Sequence, residues 1–144
     1  MIADLLLALH VLGAVLWVGG MYFALMVLRP SLAVLAPPQR LELHRQVFRR
    51  FFLLIWHVMP IMLVTGFAMI FAVYGGFSGV RWNVHLMMLL GLIMSAIFVA
   101  LYFGPWAALR GGGDPAAVLD RIRLMIQVNL VLGLIVVVVA AWNY

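Results

Sequence analysis

Four long apolar runs fill most of this chain, at residues 5–28, 51–74, 81–106 and 118–142. Apolar residues make up 68% of the sequence and charged residues 9%, a balance that a soluble domain of this size could not cover with polar surface. Each run is long enough to cross a bilayer, which takes about 20 residues of α-helix. The pattern predicts an all-α integral membrane protein, an antiparallel four-helix bundle that forms a single transmembrane domain over residues 1–144.

The segments outside the four runs refine this prediction. Span one is not expected to be a cleaved signal peptide, because Asp4 stands at its start, no basic residue precedes it and it is too long. After it, Pro37 and Pro38 break the chain, and residues 39–50 interleave basic and apolar side chains. This segment is predicted to be a short interfacial helix whose basic groups face lipid headgroups.

The arginines predict the orientation of the bundle. All nine basic residues are arginine, and eight of them belong to the connections between spans one and two and between spans three and four: Arg29, Arg40, Arg45, Arg49, Arg50, Arg110, Arg121 and Arg123. Only Arg81 lies at the opposite side. The positive-inside rule then puts both termini on the non-cytoplasmic side of a bacterial inner membrane. Because topology accounts for the basic charge, no nucleic-acid partner is expected.

Two histidines within the apolar runs are predicted to lie at the same depth. With a rise of about 1.5 Å per residue, His10 and His85 lie roughly 9 to 10 Å outside the middle of spans one and three, whereas His57 lies about 7 Å on the inner side. Polar groups inside a membrane are costly unless they face inward and have partners. Because haem iron accepts two imidazoles from facing helices, we expect His10 and His85 to bind one b-type haem.

The helix faces that carry these histidines suit a flat apolar cofactor. Gly13 and Trp17 follow His10 at helical spacing, and Met88 continues the face of His85, so all three are expected to line the cofactor site. Two other interpretations remain. Small residues often serve close helix packing, with each histidine bonded to a neighbouring helix, and membrane histidines also serve proton relays. Asn129, near the middle of span four, is expected to bond across helices.

Copper is the alternative ligand. The chain contains ten methionines, and thioether together with imidazole suits Cu(I). Met87 and Met88 follow His85, and Met21 and Met26 lie in span one, although methionine is also a common gap-filling residue. The absence of cysteine excludes disulfides, thiolate zinc sites and iron–sulfur clusters.

Span one contains the element His10-x-x-Gly13-x-x-x-Trp17-x-Gly19-Gly20. At this element, which is the most specific one, the chain resembles a known family of small bacterial inner-membrane proteins, the copper resistance D family. The similarity continues through residues 27–30, 47–52, 84–88, 122–123 and 128–133. This resemblance implies a copper-related role for a four-span protein.

A more distant similarity rests on His10, Trp17 and Gly20 in span one and on Trp82 and His85 at the start of span three. The first span of bacterial membrane-type protoporphyrinogen oxidase is similar at the first three residues, and its third span opens with tryptophan and histidine, which Trp82 and His85 approximate. That family has a lysine next, whereas this chain has none and carries methionine there. The resemblance implies haem or porphyrin binding.

Together these observations favour a membrane b-type haem protein that transfers electrons, with a redox partner or quinone and a homo-oligomer left open. The alternatives are a copper-handling protein with histidine and methionine ligands, and a porphyrinogen-oxidising enzyme.

Overall fold

Four long apolar helices make up the computed structural model, which describes residues 1–142. Within these residues, α1 spans Ile2–Val34, α2 spans Pro37–Ala72, α3 spans Trp82–Arg110 and α4 spans Pro115–Ala141. All four are long and apolar enough to cross a membrane, and no strand occurs among the described residues. Helices satisfy their backbone hydrogen bonds internally, which is the requirement for crossing hydrocarbon. The predicted all-α, four-span architecture is confirmed.

The connections alternate between two ends of the bundle. The α1–α2 and α3–α4 connections lie at the end that carries most of the arginines, which we call the arginine-rich end. Residue 1, the 73–81 connection and the end of α4 lie at the other, which we call the terminal end. Gly75 and Gly76 adopt φ values of 70° and 116° after α2, a backbone conformation that glycine tolerates best. This turn reverses the chain within a few residues.

The helices extend further at the arginine-rich end than the sequence predicts. The helix α1 passes through Pro30 by way of a π-helical turn, Phe23–Leu28, and α3 passes through Pro105 in a second one, Tyr102–Trp106. A widened turn accommodates a residue that cannot donate a backbone hydrogen bond. Both helices therefore continue beyond residues 28 and 106, where the predicted spans end.

The segment expected to form a separate interfacial helix is the first part of α2. No break separates residues 39–50 from the membrane-crossing part, and the helix is continuous over Pro37–Ala72. Pro37 and Pro38 begin this helix rather than ending one, because proline is well tolerated in the first turn. No glycine or proline follows until Pro60, so nothing in the sequence ends the helix near the bilayer boundary.

Aromatic side chains close the arginine-rich half of the bundle. Phe52 is 1% exposed and has edge contacts with Phe98 and Trp106 at ring-centroid distances of 6.0 and 5.3 Å. Arg110 lies over the Tyr102 ring at 5.2 Å, an attractive cation–π arrangement. These large side chains leave little space between the helices in this half.

Small residues on α1 allow α2 to approach closely. A Cβ atom at Gly20 would overlap the Phe51 ring, and one at Gly13 would overlap Met62 and lie 3.5 Å from Val58. Without a hydrophobic drive between helices in lipid, such close van der Waals packing contributes much of the association energy. The helices α1 and α2, and likewise α3 and α4, form the most extensive pairs.

We predict that Gly20→Ala destabilises the bundle and that Gly19→Ala does not. Overpacking at the Phe51 contact should cost about 1–3 kcal/mol, whereas a Cβ at Gly19 meets no atom within 4 Å. Thermal unfolding of both variants in detergent micelles measures the difference. Equal melting temperatures would contradict the packing account.

The predicted orientation can be tested because the chain has no native cysteine. Ser78→Cys lies in the connection at the terminal end, and Ala117→Cys lies at the arginine-rich end. A membrane-impermeant maleimide added to intact spheroplasts should label the first and label the second only after lysis. The reverse pattern would contradict a terminal end that faces outward.

Candidate functional site

A cavity of about 620 Å³ lies in the terminal half of the bundle. Protein interiors normally contain few voids larger than a water molecule, and ligand sites commonly enclose about 300–1,000 Å³. Every helix contributes side chains to the wall, and we call this space the His10 cavity. From α1 and α2 the lining residues are Leu7, His10, Val11, Ala14, Trp17, Val18, Met62, Leu63, Gly66, Phe67, Met69 and Ile70. From the turn, α3 and α4 they are Tyr74, Arg81, Asn83, Val84, Met87, Met88, Gly91, Leu92, Met94, Ser95, Gly133, Val136, Val137, Ala140 and Ala141.

The wall of this cavity combines an imidazole with sulfur. Five of the ten methionines line it, alongside one histidine, and those methionines are Met62, Met69, Met87, Met88 and Met94. They come from α2 and α3, whereas His10 comes from α1. Thioether and imidazole are soft and borderline ligands that suit Cu(I).

His10 is held by two neighbouring residues of α2. Its Nδ1 lies 3.0 Å from Oγ1 of Thr65. A Cβ atom at Gly66 would lie 3.2 Å from Cε1 of the imidazole, so the ring rests directly against the backbone there. Thr65 is 4% exposed. The hydrogen bond and the close backbone contact together orient the ring at the cavity wall.

Three of the other predicted site residues lie at or beside the cavity. Trp17 and Met88 line it, and Trp17 has an edge contact with Phe98 at 6.4 Å between ring centroids. Gly13 is buried against Met62 and Val58. Gly13 therefore supports the α1–α2 contact beneath His10.

His85 lies elsewhere on α3. It is in the first turn of the helix, its side chain is exposed, and it is not among the residues that line the His10 cavity. Asn83, two residues earlier, is 6% exposed and does line the cavity. Two residues along an α-helix differ by about 200° in direction, which explains why one faces inward and the other outward. The structure thus brings His10, Trp17 and Met88 together, without His85.

Asn83 is a polar wall residue that sequence reasoning missed. Its Oδ1 is buried and has no hydrogen-bond partner among residues 1–142. An unsatisfied buried acceptor costs about 1–3 kcal/mol, so this oxygen is available to a donor group in the cavity. In the sequence, Asn83 could have been noticed as a single polar residue within an apolar segment. Arg81, known from the sequence only as a topology marker, also lines the cavity.

The α2 contribution was also missed. Met62, Thr65, Gly66 and Met69 fall at spacings of three, one and three on one helix face. Thr65 beside Gly66 in the middle of an apolar run was the available signal. His10 and His85 lie in spans one and three, so their positions give no indication of these α2 residues.

Two other polar residues within the spans have hydrogen-bond partners in the protein. Asn129 donates from Nδ2 to the carbonyl of Met94 at 3.1 Å, which confirms the predicted bond across helices. Nδ1 of His57 lies 2.8 Å from the carbonyl of Leu53 in the same helix. His57 is exposed and does not line the His10 cavity.

Carboxylates and histidines do not form a metal cluster in residues 1–142. No three side chains of histidine, cysteine, aspartate or glutamate there are grouped closely enough to hold an ion. A metal in the His10 cavity would therefore need ligands other than these four residue types in addition to His10, and methionine sulfurs line the same cavity.

Comparison with known proteins supplies the family. A sequence model described as copper resistance protein D matches residues 45–143, more than half of the chain. The chain belongs to the copper resistance protein D family. An uncharacterized protein of Aquifex aeolicus (strain VF5) is 32% identical over 139 residues, which cover 93% of this chain and 90% of the relative. No solved structure gives a significant match.

Membership in the copper resistance protein D family confirms the family resemblance found in the sequence. It identifies a copper-related, multi-pass protein of the bacterial inner membrane, surrounded by lipid. The matched residues contain α3, α4 and most of α2. They leave out His10, so the family match and the imidazole of the cavity are independent observations.

Proposed function

We propose that this protein handles copper by binding Cu(I) in the His10 cavity, with Nε2 of His10 and methionine sulfurs as ligands. The observation that carries the proposal is the convergence of five methionines and one histidine on one cavity. Cu(I) prefers soft thioether ligands and also accepts imidazole. Copper is the cargo in this proposal, and no redox step by the protein is required.

Two further observations support copper. The protein belongs to a copper-related family, and the other histidines are not part of the cavity wall. With the terminal end facing outward, as the arginine distribution predicts, the cavity would accept copper from the periplasmic side.

Removal of His10 should weaken Cu(I) binding selectively. Losing a ligand should cost more affinity than the roughly 10–100-fold typical when only the hydrogen-bond partner of a ligand is removed. Anaerobic titration of detergent-purified protein against a chromogenic Cu(I) chelator measures the affinity of His10→Ala, with His85→Ala as the control. Wild-type affinity in His10→Ala, or no binding by the wild type, would contradict the proposal.

The same titration tests the sulfur ligands. Met62→Leu, Met69→Leu and Met88→Leu combined should weaken Cu(I) binding with little loss of stability, since exchange of methionine for leucine nearly conserves volume. Met59→Leu is the matched control, because Met59 is 6% exposed but does not line the cavity. Equal affinity in the triple variant and the control would exclude these three sulfurs as ligands.

A b-type haem is the second candidate, with electron transfer to a redox partner or quinone as its use. The volume of the cavity favours it, because about 620 Å³ is far more than one ion occupies. The predicted pair of axial ligands is not assembled at the cavity, since His85 is exposed outside its wall. Ligation by His10 and His85 therefore stays a prediction.

An absorbance spectrum separates the two candidates. A copper-handling protein should be colourless when Cu(I) is bound, and dithionite should leave its spectrum unchanged. A Soret band that shifts with dithionite and disappears in both His10→Ala and His85→Ala would support the haem and contradict copper as the ligand.

A further inference from the structure

We infer that Thr65 is a positioning residue that holds His10 as the tautomer protonated at Nδ1, which leaves Nε2 as the electron-pair donor of the cavity. A consequence is that Thr65 strengthens Cu(I) binding by His10, and this consequence rests on the proposed function. The inference about the tautomer does not, because it follows from the hydrogen bonds of the protein alone.

The Thr65 hydroxyl has one proton to donate. Its Oγ1 lies 2.7 Å from the carbonyl oxygen of Ile61 and 3.2 Å from that of Met62. Both carbonyls can only accept, so the proton must point toward them. A hydroxyl turned away would leave two oxygen lone pairs facing each other at 2.7 Å. The Thr65 hydroxyl is therefore committed as a donor within its own helix.

Because the Thr65 hydroxyl donates its proton within its own helix, it also determines which nitrogen of the His10 imidazole is protonated. Nδ1 of His10 lies 3.0 Å from the same hydroxyl oxygen, and that oxygen can only accept from the ring. Nδ1 must then carry the proton, and in a neutral imidazole the other nitrogen has the lone pair. The side-chain hydrogen bond of His10 is made by Nδ1, and Nε2 takes no part in it. Nε2 is free to coordinate, as is typical of metal-binding histidines whose other nitrogen is bonded.

Gly66 keeps the ring in the position that this hydrogen bond requires. The absent side chain lets Cε1 and Nδ1 approach the backbone, since a Cβ there would lie 3.2 and 3.7 Å from them. Thr65 and Gly66 therefore act on the same side of the ring.

The first test measures the tautomer in metal-free protein. Wild type, Thr65→Val and Thr65→Ser are labelled with ¹⁵N-histidine, and NMR spectra of the ring nitrogens are recorded at a pH where imidazole is neutral. The signals of His10 are identified as those that are missing from the spectrum of His10→Ala. Wild type and Thr65→Ser should show His10 protonated at Nδ1. Thr65→Val, which has no hydroxyl, should show a mixture or the Nε2-protonated form. A wild-type proton on Nε2, or no change in Thr65→Val, would overturn the inference.

Folding of the valine variant is a separate measurement. The Ile61 carbonyl still accepts the backbone N–H of residue 65 in a regular helix, and valine has nearly the shape of threonine. The circular dichroism of the variant should match the wild type, and its melting temperature should fall only by what the loss of one hydrogen bond to His10 implies. If Thr65→Val fails to fold, the wild-type tautomer still decides the inference.

The second test adds Cu(I) alone in competition with the chelator. Thr65→Val should bind roughly 10–100-fold more weakly than the wild type, and Thr65→Ser should restore most of the affinity. If the wild type binds no Cu(I), the proposed function fails while the tautomer result stands. If the wild type binds and Thr65→Val binds equally well, the role of Thr65 fails while the proposed function stands.

Discussion

The close contact between α1 and α2 determines the geometry of the rest of the bundle. Gly13 and Gly20 bring the backbone of α1 against Met62 and Phe51, and this separation sets where His10 meets α2. The imidazole then reaches Thr65 at 3.0 Å. A wider separation would break that hydrogen bond and leave a polar ring unsatisfied inside the membrane. The packing of small residues between α1 and α2 thus also determines the orientation of the candidate ligand His10.

The two halves of the bundle differ in how they use the space between helices. Large rings fill the arginine-rich half, where Phe52 contacts Phe98 and Trp106. The terminal half has unbranched methionines and small residues, and the His10 cavity remains between the four helices. A rigid, filled half can hold the helices together while the other half keeps an open site. The packed half thus explains how the four helices stay together although the other half contains a cavity.

Hydropathy predicts the four helices, since length and apolar composition alone identify a membrane span. The depth of His10 also follows from counting residues. The direction of a side chain around its helix does not, because α3 is apolar on all sides and its residues give no period that distinguishes the inner face. Asn83 faces inward and His85 outward, a difference that only the packing of α3 against its neighbours decides. Thr65 was missed for the same reason, since its value lies in a contact between helices.

The central claim is that His10 and methionine sulfurs bind Cu(I) in one cavity, and X-ray absorption at the copper edge tests it most directly. The Cu(I)-loaded protein should show a first coordination shell of sulfur with a histidine nitrogen, and His10→Ala should lose the imidazole scattering and keep sulfur. A shell of oxygen and nitrogen without sulfur, or a spectrum unchanged in His10→Ala, would contradict the account.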